Sequence, residues 1–145
     1  MLQSIAFQIY AVCASLLVLN LLFLAGGTAA TRARAGKVLN PEDKRLNSKA
    51  EVQPSDDGVV ARWRRAHLNA LENILPFLPM GFLLALTEPS MGLAAGLFGT
   101  FTFFRLLHSV AYLKAVQPLR TASFGIAALA LTGVVGAFLF QVFTI

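Results

Sequence analysis

Charge is what this sequence lacks over most of its length. Only 13% of its 145 residues are charged, whereas 57% are apolar. Four segments are almost free of charge, roughly residues 2–30, 66–86, 91–113 and 122–145, and the last carries none. Each meets the ~20 residues needed to cross hydrocarbon, which excludes an ordinary soluble domain. Cysteine is nearly absent. Cys13 stands alone, so no intrachain disulfide can form, and it reads as a small apolar residue facing lipid or another helix. With two histidines, no CxxC and no acidic cluster at ligand spacing, no metal site is expected. A glycine-rich phosphate motif and a Ser/His/Asp arrangement are missing as well. The first apolar run lacks a basic leader and a small-residue cleavage site, so it is expected to remain as a helix rather than act as a signal.

One sign of charge is missing from one side. Arg32, Arg34, Lys37, Lys44, Arg45, Lys49, Arg62, Arg64 and Arg65 lie between or beside the first two segments, and Lys114 and Arg120 flank the last connection. The turn "LTEPSM" and both ends have no Lys or Arg. This asymmetry predicts a cytoplasmic loop with both termini on the opposite side. It also argues that the net charge of +5 faces a membrane surface rather than nucleic acid. The sequence therefore predicts an all-α fold, an integral membrane four-helix bundle forming one domain. Its helices are expected at about 2–30, 57–87, 90–114 and 119–145, joined by a cytoplasmic loop at about 31–56. Within the loop, "NPED" reads as a helix start and "SDDG" as the beginning of the second helix. Pro76 and Pro79 are expected to kink that helix. Gly92, Gly96, Gly99, Gly125, Gly133 and Gly136 are expected to allow close helix approach.

A ladder of polar residues runs along the second and third segments. Counted from Pro89, Glu72 lies 17 residues before and Arg105 16 after; Asn69 lies 20 before and His108 19 after; Arg65 lies 24 before and Tyr112 23 after. Arg65, Asn69 and Glu72 fall on one helical face, as do Arg105, His108 and Tyr112. The count predicts a direct Glu72–Arg105 ion pair within one subunit. That pair could serve packing alone. The remaining polar groups, with Arg120, extend toward the cytoplasmic mouth and suit a small anion bearing carboxylates, which guanidinium forks bind in bidentate fashion. His67 lies off the stripe and reads as interfacial or structural. Tyr112 could equally be a membrane-interface residue.

"RRAHLNALENILPF", "FFRLLHSVAYL", "QPLRTASF" and "NPED" together resemble the MAPEG superfamily, membrane-associated proteins in eicosanoid and glutathione metabolism. The resemblance spans nearly the whole chain, and is strongest to the subgroup holding the microsomal prostaglandin E synthases and glutathione transferases. It implies a homotrimer with glutathione bound between subunits near the cytoplasmic face. It also implies that Arg65, Asn69, Glu72, His108 and Tyr112 hold glutathione, that Arg32 reaches in from the adjacent subunit, and that Arg105 supports Glu72. Arg120 would sit by the sulfur with Thr121 beside it, and Asp43 matches an aspartate proposed to assist that arginine. Leu68 and Phe124 replace a basic residue and a tyrosine of the prostaglandin synthases, and the connection from Tyr112 to Arg120 is one residue shorter. These departures bear on prostaglandin-type substrates and leave the glutathione core as it stands.

The expected function is a glutathione-dependent transferase or peroxidase whose lipophilic second substrate is drawn from the membrane lipid. A bacterial inner membrane suits a compact chain of this composition; the endoplasmic reticulum would be the eukaryotic counterpart. A non-catalytic scaffold or lipid-binding protein of the same fold, and a small transporter, are the alternatives. Retention of Arg120 argues against the first, and the apolar outer half against the second.

Overall fold

The computed structural model describes residues 3–45 and 47–144. Four helices dominate: α1 (Ile5–Arg34), α2 (Gly58–Leu86), α3 (Met91–Leu113) and α4 (Gln117–Thr144). All four are long and apolar enough to cross a membrane. The helix expected to end near residue 30 continues one turn further, to Arg34. Basic residues there lie in its last turn, where they oppose the negative helix end. At 1.5 Å per residue, α1 is about 45 Å long, so its basic end projects beyond a hydrocarbon layer of about 30 Å.

The buried face of α2 follows helical spacing through Ala66, Ala70, Ile74, Phe77, Gly81 and Leu84. Phe77 stacks on Phe101 of α3 at 4.2 Å between ring centres, and Phe98 meets Phe77 edge-on at 5.9 Å. Leu17 and Leu24 of α1 and Val134 of α4 complete the buried core. α2 runs unbroken through Pro76 and Pro79. Helix α3 contains a stretch with wider, π-type turns at Ala95–Gly99. Such a stretch rotates the residues that follow relative to a regular helix, and no signal in the composition announces it.

Within the chain, close helix approach falls on only one of the glycines expected to allow it. A side chain at Gly92, Gly96, Gly99, Gly125 or Gly136 would meet open space, so these glycines face outward from the bundle. Of that set only Gly133 is tight, 2.8 Å from Leu97. The tightest notch is Gly27 on α1. A Cβ there would lie 2.1 Å from the Trp63 ring, so only glycine admits that ring.

The loop between α1 and α2 has structure of its own. Lys37–Val38 (β1) and Glu51–Val52 (β2) form a parallel pair, with Lys37 opposite Glu51. The expected helix at "NPED" is a short 3-10 turn, Pro41–Arg45. Asp57 caps α2 by position only, because Lys37 Nζ takes its carboxylate at 2.7 and 2.8 Å. The loop is fastened to α1 by Arg32, whose Nε and Nη2 donate to Asp56 at 2.8 and 2.7 Å. Arg64 of α2 approaches the same buried carboxylate at 3.9 Å.

Candidate active site

Asn69 of α2, His108 and Tyr112 of α3, and Arg120, Thr121 and Phe124 of α4 line one cleft of about 300 Å³. Five of these six are candidate site residues by sequence, and they converge because three helices meet there. α3 ends in a tight turn that sets the last of them. Val116 N donates to Ala111 O at 3.0 Å and Ala115 N to Tyr112 O at 3.2 Å, around Ala115 in the left-handed region at φ 60°. This paired hydrogen bonding closes the helix and returns the chain at once into α4. Arg120 thereby stands over the Tyr112 ring, with its guanidinium carbon 4.8 Å from the ring centre. His108 packs edge-on against Tyr112 at 5.7 Å and lies near Phe124 at 6.1 Å.

The cleft is rich in donors. Arg120 carries a fixed positive charge, Tyr112 and Thr121 carry hydroxyls, and no carboxylate lines the wall. Asn69 adds an oriented amide. Its Oδ1 accepts from Arg105 Nη2 at 3.0 Å, and its backbone carbonyl accepts from the same nitrogen at 3.1 Å. A guanidinium can only donate, so the amide oxygen is turned to Arg105 and the NH2 is left for the cleft. At about 300 Å³ the cleft lies at the lower end of the ligand-pocket range.

The predicted Glu72–Arg105 pair does not form. Glu72 lies exposed on the outer face of α2, two residues from Ala70 and thus on the opposite side of the helix from the buried row. Arg105 is completely buried and does not line the cleft. Its partner is Asn69, three residues nearer the loop. Arg105 Nε and Nη1 have no hydrogen-bond partner among the described residues. Arg65 is exposed one turn before Asn69 and is also outside the cleft.

Arg32 and Asp43 fall in a second cleft of about 310 Å³, lined also by Lys37, Val38 and Asn47. Within one chain Asp43 is therefore not beside Arg120, and one edge of the Arg32 guanidinium is committed to Asp56. Sequence reasoning does not single out Asp56. An aspartate pair before a helix reads equally well as a cap, and the partner lies 24 residues away. Phe124 stands out in the sequence only as a departure from the family pattern, yet it forms the cleft's apolar wall.

With this geometry in view, comparison with known proteins decides the ancestry. Residues 10–140 match the MAPEG family model. The chain belongs to the MAPEG family. Among MAPEG relatives, microsomal glutathione S-transferase 1 of Mus musculus is 38% identical over 117 residues, 77% of this chain and 74% of that protein. The Homo sapiens protein of the same name is 37% identical over 124 residues, covering 81% of this chain and 79% of its own length. Prostaglandin E synthase of Homo sapiens is 34% identical over 128 residues, 88% of this chain and 84% of that protein. This MAPEG chain is thus a multi-pass membrane protein with a donor-lined cleft at one end of its bundle.

Proposed function

We propose that this protein is a glutathione-dependent membrane transferase or peroxidase, with Arg120 as the group that activates the glutathione thiol. The observation that carries this is the cleft itself. It joins one fixed cation to hydroxyl, phenol and amide donors, has no carboxylate in its wall, and belongs to a chain related to glutathione S-transferases. A thiol has a pKa near 8.5 and reacts as its thiolate. A guanidinium beside the sulfur favours the anion without titrating itself, and a Thr121 hydroxyl adds a hydrogen bond to it. Glutathione supplies the sulfur nucleophile. The thiolate either displaces a leaving group from an electrophile or attacks a hydroperoxide oxygen; the O–O bond breaks, the alcohol leaves, and the resulting glutathione sulfenic acid condenses with a second glutathione to give the disulfide and water. Phe124, exposed beside Arg120, offers the apolar surface on which a lipophilic substrate arrives from the bilayer.

Two observations support a site completed by a second copy in a homotrimer. Glu72 is a carboxylate left exposed on a membrane helix, and Arg32 and Asp43 lie in a separate cleft of the same subunit. A neighbour's Arg32 and Asp43 would then meet Arg120, while Arg65 and Glu72 would bind glutathione at the seam. The loop end would face the cytoplasm with both termini opposite, consistent with a bacterial inner membrane.

Purified protein should conjugate glutathione to a hydrophobic electrophile or reduce a lipid hydroperoxide. Arg65→Ala should raise the glutathione KM with a smaller change in kcat, as expected for lost uniform binding. Absence of both activities in a wild type that binds glutathione would favour a scaffold.

A further inference from the structure

We propose that Asn20 of α1 and Ser109 of α3 are positioning residues, holding α3 so that Arg105 fixes the Asn69 amide with its NH2 toward the cleft. This rests on the glutathione reading for its ligand, though not for its geometry. Asn20 is the one polar residue in the stretch Leu16–Gly27 of α1, and it is nearly buried at 9% exposure. Its Nδ2 donates to Ser109 Oγ at 3.0 Å, and Ser109 Oγ donates to the Arg105 carbonyl at 3.2 Å. A hydroxyl has one proton, and this one goes to the carbonyl, so Ser109 must accept from Asn20.

Among the described residues this is the only side-chain hydrogen bond between α1 and α3. The other buried residues of the central part of α1, Cys13, Leu17 and Leu24, make apolar contacts, which lack the directionality of a hydrogen bond. The directional tie therefore sets the depth and rotation of the turn from Arg105 to Ser109. That turn begins at Arg105, whose guanidinium orients the Asn69 amide. Asn20 and Ser109 touch no ligand in this scheme. Asn20 acts through Ser109 and Arg105, and Ser109 through Arg105, on one amide.

A purely structural tie would also affect stability, so the test must separate the two roles. Asn20→Leu keeps the branched shape and removes the donor; Ser109→Ala removes the acceptor from the other side. Each should raise the glutathione Kd about threefold, the ~0.6 kcal/mol typical of a hydrogen bond between membrane helices, with kcat nearly unchanged. In an Asn69→Ala background neither should weaken binding further, because the amide they position is gone. The same threefold loss in that background, or no loss from either variant, would overturn the proposal. In the unliganded protein, the NMR signal of the Asn69 side-chain amide should shift on Asn20→Leu; an unmoved signal would also overturn it. This last readout stands even if the wild type fails to bind glutathione, an outcome that would overturn the functional reading alone.

Discussion

The Asp56 carboxylate accepts two hydrogen bonds from Arg32 while its own side chain is 3% exposed. Those hydrogen bonds hold its carboxyl below the usual carboxylate range; burial opposes this, and the charges of Arg32 and Arg64 reinforce it. A depressed folded-state value has a definite consequence. The pair contributes stability above the unfolded carboxylate value of about 3.9, and that contribution is lost as pH falls through the lowered value. Asp56→Asn should therefore lower the melting temperature at neutral pH and flatten its fall below about pH 4. Parallel acid profiles for variant and wild type would mean that the pair does not fasten the loop. Arg105 and Glu72 teach the complementary lesson. Their depth is readable from the hairpin count, but their direction is not. Depth depends on residue number alone, whereas direction depends on which face of α2 is buried and on the widened turns of α3. The spacing alone does not decide this, because Leu68, Leu71, Leu75 and Phe82 form a second apolar row on α2 that is exposed.

The four helices and their order follow from apolar runs too long for anything but a membrane span, and this part of the fold is legible in the sequence to within about a helical turn. The loop is legible only as polar sequence. Its parallel strand pair is two residues per strand, too short to leave a periodic pattern. The turn from α3 to α4 is readable as a break and not as a geometry. Ala115 occupies a left-handed position at φ 60° that glycine usually takes, and a Cβ there costs roughly 1–2 kcal/mol. Ala115→Gly should raise stability by up to about 1 kcal/mol after the glycine's greater unfolded entropy is subtracted. A melting temperature that falls instead would show that the turn is held by contacts to the alanine methyl. Because this turn sets Arg120 over Tyr112, the variant also asks whether a relaxed turn still presents the guanidinium to the cleft.

At the scale of the whole molecule, the site residues named from sequence divide into groups. One chain gathers Asn69, His108, Tyr112, Arg120 and Thr121 in a single cleft. Arg32 and Asp43 lie in another, and Arg65 and Glu72 face outward. Under the proposed homotrimer, this division is what a site built across a subunit boundary would leave in one chain. The central claim is narrower than the assembly: the cleft binds glutathione and Arg120 holds its sulfur as a thiolate. The direct measurement is the ultraviolet difference spectrum of the thiolate when glutathione is added to the purified protein, followed against pH. The wild type should give the thiolate signal at neutral pH. Arg120→Leu should still bind glutathione yet give the signal only as pH rises toward the free thiol value of about 8.5, each tenfold loss of thiol acidity corresponding to about 1.4 kcal/mol. An Arg120→Leu variant that binds glutathione and keeps the wild-type thiolate signal at neutral pH would contradict the account.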